Sequence, residues 1–61
     1  MTKIDYIAVG RKEHELVAAH GKDGARRYAA RIALEAEAEG DSEAFAFWRA
    51  VERGLTPRLN S

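Results

Sequence analysis

Three glycines, Gly21, Gly40 and Gly54, divide a chain otherwise rich in alanine, glutamate and arginine. The residues between them lose little rotamer freedom in a helix. A glycine just past each stretch accepts the left-handed backbone in which helices commonly end. Asp23 and Asp41 follow the first two glycines, where their carboxylates are placed to cap the free amides of a next helix. The punctuation predicts an all-α, three-helix domain.

The stretch from Ser42 to Arg53 carries the clearest pattern. Ala44, Phe47, Trp48, Val51 and Leu55 recur at helical spacing, so one stripe holds most of the chain's large apolar area. Trp48 sits in the middle of that stripe and is expected at the centre of the core. Leu55, after Gly54, is expected to fold back on the last turn, and Pro57 stops the helix from resuming. Gly24 to Glu39 places Ala25, Tyr28, Ala29, Ile32 and Ala36 on one face. Its alanines admit a neighbouring backbone closely, and the two-residue Gly40-Asp41 connection makes this helix and the last an antiparallel hairpin.

The first stretch is less regular. Tyr6, Val9, Leu16, Val17 and His20 share a broad face, whereas Ile4 and Ile7 fall outside it and Gly10 interrupts the pattern. A first helix kinked near Gly10 and packed across the hairpin accommodates these positions. The alternation of Ile4, Tyr6 and Ala8 also suits a strand over Lys3 to Val9, but a lone strand has nothing to pair with.

With 61 residues there is room for one domain, placed at 1–55, followed by a loose tail over 56–61. A chain of this size buries only about 60% of the surface it exposes when unfolded, so regular helix packing or a second copy of the chain has to supplement its core. There is no cysteine, which removes disulfides and thiolate chemistry and fits a reducing cytoplasm. Ten basic and ten acidic side chains cancel. No overall field then draws the chain to nucleic acid or to an anionic membrane. Asp5 stands where a signal peptide would carry apolar residues, and no apolar run reaches spanning length. The expected location is cytoplasmic.

The chemistry-bearing residues form no constellation. His14 and His20 are six residues apart, and point roughly 240° away from each other on a helix, whereas a two-histidine metal site wants a spacing of three or four. His20 is expected to meet terminal carbonyls at a helix end, and His14, between two glutamates, to be solvated. The hydroxyls, Ser42, Ser61, Thr2 and Thr56, lie at helix starts or chain ends with no base beside them. Glu35, Glu37, Glu39, Asp41 and Glu43 read as a hydrated acidic stretch, and the glycines match neither a phosphate-binding loop nor a dinucleotide fingerprint. No enzyme activity, cofactor or metal is expected.

What is left is a surface. Arg26, Arg27 and Arg31 surround Tyr28, a combination able to contact phosphates and stack on a base. Tyr28 falls on the apolar face, however, and the aromatics of the last helix are taken up by the core. The second helix, if it begins near Gly24, carries Arg26 and Arg27 in its first turn and Glu37 and Glu39 in its last, opposing its dipole at both ends. An antiparallel second copy would set Arg27 near Glu35, with Ala30, Leu34 and Ala38 as the seam. Neutralisation of the arginines by Glu13 and Glu15 within one chain is the competing arrangement. Phe45, outside the central stripe, would adjoin Leu34 to make an apolar patch. The expected partner site is therefore Arg27, Ala30, Leu34, Glu35, Ala38 and Phe45.

His20-Gly21, Tyr28-Ala29, Gly40-Asp41 and Trp48-Arg49, within Leu16 to Leu55, resemble a group of small helical proteins of alphaproteobacteria. The resemblance covers about two-thirds of the chain and implies a helical fold in a bacterial cytoplasm. It implies no activity, ligand or catalytic residue. The function expected is a non-catalytic protein-interaction module, a homodimer with room for a further protein partner and a regulatory or scaffolding role. The alternative is a small helical protein that binds nucleic acid or its machinery.

Overall fold

The structure, a computed structural model, describes residues 3–56. These residues are helical throughout apart from their ends and one turn, so the expected all-α class holds. The expected count of three helices does not. There are two, α1 (Tyr6–Glu39) and α2 (Ser42–Leu55). Gly21 adopts a non-helical backbone at φ 75° and ψ 170°, but helix resumes at the next residue, with no connecting loop. Asp23 accordingly lies inside α1 and caps nothing. The bend is large: a straight helix of 34 residues would be about 51 Å long, whereas the longest dimension of the described residues is 31 Å. The two arms of α1 fold towards each other around Gly21, and α2 packs against both.

The kink expected near Gly10 is absent. Gly10 is an ordinary exposed helical residue, and nothing lies within 4 Å of the position a β carbon would occupy there. Gly10→Ala is therefore expected to stabilise the chain by about 0.5–1 kcal/mol, by lowering the entropy of the unfolded state. Urea titration followed by circular dichroism checks this; a loss of stability would mean that the first arm does not need a regular helix at this point.

Helix α1 begins where Asp5 caps it. One carboxylate oxygen accepts from the backbone N–H of Ile7 at 3.0 Å and of Ala8 at 3.2 Å, a side-chain cap that supplies partners for otherwise orphaned amides. Lys3 to Asp5 precede the helix and form no strand. Ile4, outside helical periodicity for that reason, packs against the core. Tyr6 does not: it is exposed, as is Ile7. At the other end Gly40 is left-handed at φ 76°. Its N–H donates to the Glu37 carbonyl at 3.1 Å and that of Asp41 to the Ala36 carbonyl at 2.9 Å, the paired bonds of a glycine-terminated helix. Asp41 then caps α2 by accepting from the Ala44 N–H at 3.1 Å. The expected hairpin turn is thus built from a helix stop and a helix start that share two residues.

Gly54, expected to end the last helix, lies within it. Helix α2 continues to Leu55 and is closed by Thr56, whose hydroxyl donates to the Glu52 carbonyl at 2.8 Å. Leu55 is a helical residue, and it packs on the core from there. Pro57 and the remainder of the expected tail lie outside the described residues.

The core takes Val9 and Leu16 from the first arm of α1, Ala25 and Ala29 from the second, and Val51 from α2. Ala33 and Ala36 extend the same buried alanine line. The fully buried lining of α1 is thus small, and the larger side chains of α2 and its neighbours pack around it. Val51, and not Trp48, is the central side chain: it is fully buried, while Trp48 is half-buried beside it. The indole meets Tyr28 at 6.0 Å and Phe47 at 5.5 Å between ring centroids, both edge-on, an arrangement favoured by the ring quadrupoles. His20 extends the row by stacking on Tyr28 at 5.2 Å, so its expected role at a helix end is replaced by a lateral contact across the bend.

Candidate interaction surface

The second arm of α1 has two faces. Ala25, Ala29, Ala33 and Ala36 are turned into the core, and Arg27, Ala30, Arg31, Leu34 and Ala38 occupy the opposite side at spacings of three and four. Leu34 is 65% exposed. Beside it runs a shallow groove of about 270 Å³, walled by Ala30, Ala33, Leu34 and Glu37 on α1 and by Phe45, Arg49 and Glu52 on α2.

Of the residues expected in a partner site, the groove brings together Ala30, Leu34 and Phe45. Arg27, Glu35 and Ala38 are exposed on the same arm, outside the groove. Phe45 is half-buried and also borders a second, larger open groove of about 570 Å³ between the first arm of α1 and α2. Sequence reasoning missed Ala33, Glu37, Arg49 and Glu52. The first two were within reach, since with Ala30 and Leu34 they complete an i, i+3, i+4, i+7 set. The α2 residues were not, because their side depends on how α2 rolls against α1.

The charges around the groove are distributed unequally. Arg49 pairs with Glu52 at 2.6 Å along the α2 wall. Lys12 pairs with Glu15 at 2.7 Å far from it, and that hydrogen bond, reinforced by the ammonium charge, holds the Glu15 carboxyl below its ordinary range. Glu13 lies against α2, so near Gly54 that a β carbon there would stand 2.7 Å from the Glu13 carboxyl carbon. Neither Glu13 nor Glu15 therefore neutralises Arg26 or Arg27. Among the described residues Arg26, Arg27, Arg31, Glu35, Glu37 and Glu39 form no ion pair. Arg31 instead places its guanidinium 5.3 Å from the centre of the Tyr28 ring, a cation–π contact.

The dipole argument for a second copy changes with the helix count. Since α1 starts at Tyr6, Arg26 and Arg27 lie in its interior and not in a first turn, and only Glu37 and Glu39 oppose the dipole at a helix end. Arg26 is half-buried, whereas Arg27 and Arg31 are exposed one turn apart. Among the described residues no group of three or more histidine, cysteine, aspartate or glutamate side chains is clustered as a metal site would require. His14 is exposed. No helix among them is long and apolar enough to cross a membrane.

Comparison with known proteins returns no match, whether to a family model, a curated protein or a solved structure.

Proposed function

We propose that this chain is a non-catalytic cytoplasmic interaction module that self-associates through the outer face of the second arm of α1. The observation that carries the reading is Leu34: a large apolar side chain left 65% exposed at the rim of a groove whose far wall is Phe45. A domain whose buried core is mostly alanine gains by covering such a surface. Arg27, Arg31, Glu35 and Glu37, which form no ion pair among the described residues, supply the polar rim typical of protein interfaces. The absence of cysteine fits a reducing compartment, and the resemblance to alphaproteobacterial proteins contributes a bacterial origin to the proposal and nothing more.

Sedimentation equilibrium tests it. The parent is expected to be dimeric at high micromolar concentration. Leu34→Asp, which puts a charge at the centre of the face without touching the core, is expected to give a monomer with the helical circular dichroism of the parent. A parent that stays monomeric throughout that concentration range ends the proposal.

A further inference from the structure

We infer that Gly21 is a hinge at which α1 can straighten, and that the straightened chain gives its first arm to the core of a second copy, making a reciprocal, domain-swapped dimer. This goes beyond the self-association proposed above, because it uses the core and not the outer face around Leu34. Gly21 is the one residue inside α1 with non-helical backbone angles, and helix runs up to it and resumes directly after it. A change at a single residue therefore separates the bent α1 from a continuous helix, where most hinges involve a loop. Nothing lies within 4 Å of a β carbon built at Gly21, so no neighbour is packed where a side chain of the hinge residue would stand.

The first arm is held by side-chain packing. Val9 and Leu16 are buried against Ala25, Ala29 and Val51, the His20 ring stacks on Tyr28, and the Glu13 carboxylate lies beside Gly54. Among the described residues no side-chain hydrogen bond or ion pair ties this arm to the second arm or to α2. Straightening breaks every one of these contacts within the chain: His20 and Tyr28, eight residues apart, would stand about 12 Å apart along a straight helix. It uncovers Val9 and Leu16 on one side and Val51 with its alanines on the other. Two open chains cover both surfaces by exchange, each first arm remaking with the other copy the contacts it lost in its own, and the exchange closes as a two-fold pair.

Glycine at position 21 sets the balance. It takes up φ 75° as readily as a negative angle and is a poor helix former, so it favours the bent form on both counts. A tethered arm also meets its own core at an effective concentration on the order of millimolar. The native chain is therefore unswapped at micromolar concentration. Alanine reverses both preferences. Relief of the strained backbone favours the swapped form by about tenfold per hinge, and a dimer has two hinges, so its dissociation constant is expected to fall about a hundredfold, to roughly tens of micromolar. At the low micromolar concentration of a denaturant titration the bent form still dominates.

The test is made on chains that carry Leu34→Asp, which removes the outer face from the outcome. At about 100 µM, well above the dissociation constant expected for the swapped dimer, sedimentation equilibrium is expected to find a dimer when Gly21→Ala is added and a monomer when Gly10→Ala is added instead. A second measurement reads the hinge. The chain has no native cysteine, so Ile7→Cys and Ala38→Cys, both at exposed positions, take one spin label each. In the bent chain the two positions lie towards the same end, since Tyr6 and Phe45 border one groove and Glu37 and Phe45 another. In a straight α1 they are about 46 Å apart. Pulsed resonance on labelled chains diluted into unlabelled ones is expected to show the long separation in the Gly21→Ala dimer and a short one in the monomer. A Gly21→Ala chain that stays monomeric, or a dimer that keeps the short separation, overturns the swap. If Gly21→Ala does not fold, the chain with Gly21 intact, refolded from urea at about millimolar concentration where the tether loses its advantage, decides: a dimer fraction with the long separation is expected, and short separations alone overturn it. Neither result bears on the association through Leu34, which is read from the parent.

Discussion

Val51→Asp is expected to leave the chain unfolded at room temperature. Val51 is fully buried and, among the described residues, is the largest side chain to be so. It stands where α2 meets both arms of α1, packed with Val9, Leu16, Ala25 and Ala29. The described core holds no buried polar or charged residue, so a carboxylate at this point has no partner to hydrogen-bond or pair with. Burying such a group costs several kcal/mol, and a domain this small has on the order of 3–5 kcal/mol of stability in total. Circular dichroism of Val51→Asp should show loss of helix without a cooperative melt. Trp48→Ala serves as the comparison. A fully buried tryptophan costs about 3–5 kcal/mol on truncation, but this indole is only half-buried and its removal is expected to leave a folded, less stable chain. The opposite ranking of the two variants would place the indole back at the centre.

Gly21→Ala is expected to destabilise the fold by about 1–3 kcal/mol, since φ 75° with ψ 170° belongs to a region of backbone space that is in practice reserved for glycine. Space is not the cause, as nothing lies within 4 Å of a β carbon built there. The whole effect is conformational: alanine prefers the helical backbone that would straighten α1 and draw its two arms apart. Urea titration of Gly21→Ala beside Gly10→Ala is decisive, because the same substitution in the same helix is expected to act with opposite sign. Equal effects at the two positions would mean that the bend is not held at Gly21.

That pair of glycines also marks where the sequence stops being informative. Gly10, Gly21, Gly40 and Gly54 are chemically identical, and two of them, Gly21 and Gly40, have positive φ. At Gly40 the Asp41 that follows caps a new helix, which makes the end of α1 legible. At Gly21 the following Lys22 and Asp23 are compatible either with a new start or with continuation, and what decides is the packing of Leu16 and Ala25 around the same valine. The alanine line and the α2 stripe were readable because burial follows helical period. Which member of the stripe became central was not, since that depends on the distance between two backbones. Asp5 was overlooked as a cap because its helix was expected to be irregular there. For the candidate surface, Ala30 and Leu34 could be placed together from spacing within one helix. Their meeting with Phe45 came from the hairpin, and the α2 wall that completes the groove required the roll angle of a second helix.

The alanine lining has a thermodynamic consequence. A core whose fully buried residues are mostly alanine exposes less hydrocarbon when it opens than one built of larger side chains, and exposed hydrocarbon sets both the heat-capacity increment of unfolding and its sensitivity to denaturant. The stability of this chain should therefore vary gently with temperature, as a broad and shallow dome, and its calorimetric transition should be wide. For such a molecule a midpoint temperature is a poor measure of strength, since a small change in free energy displaces it by many degrees.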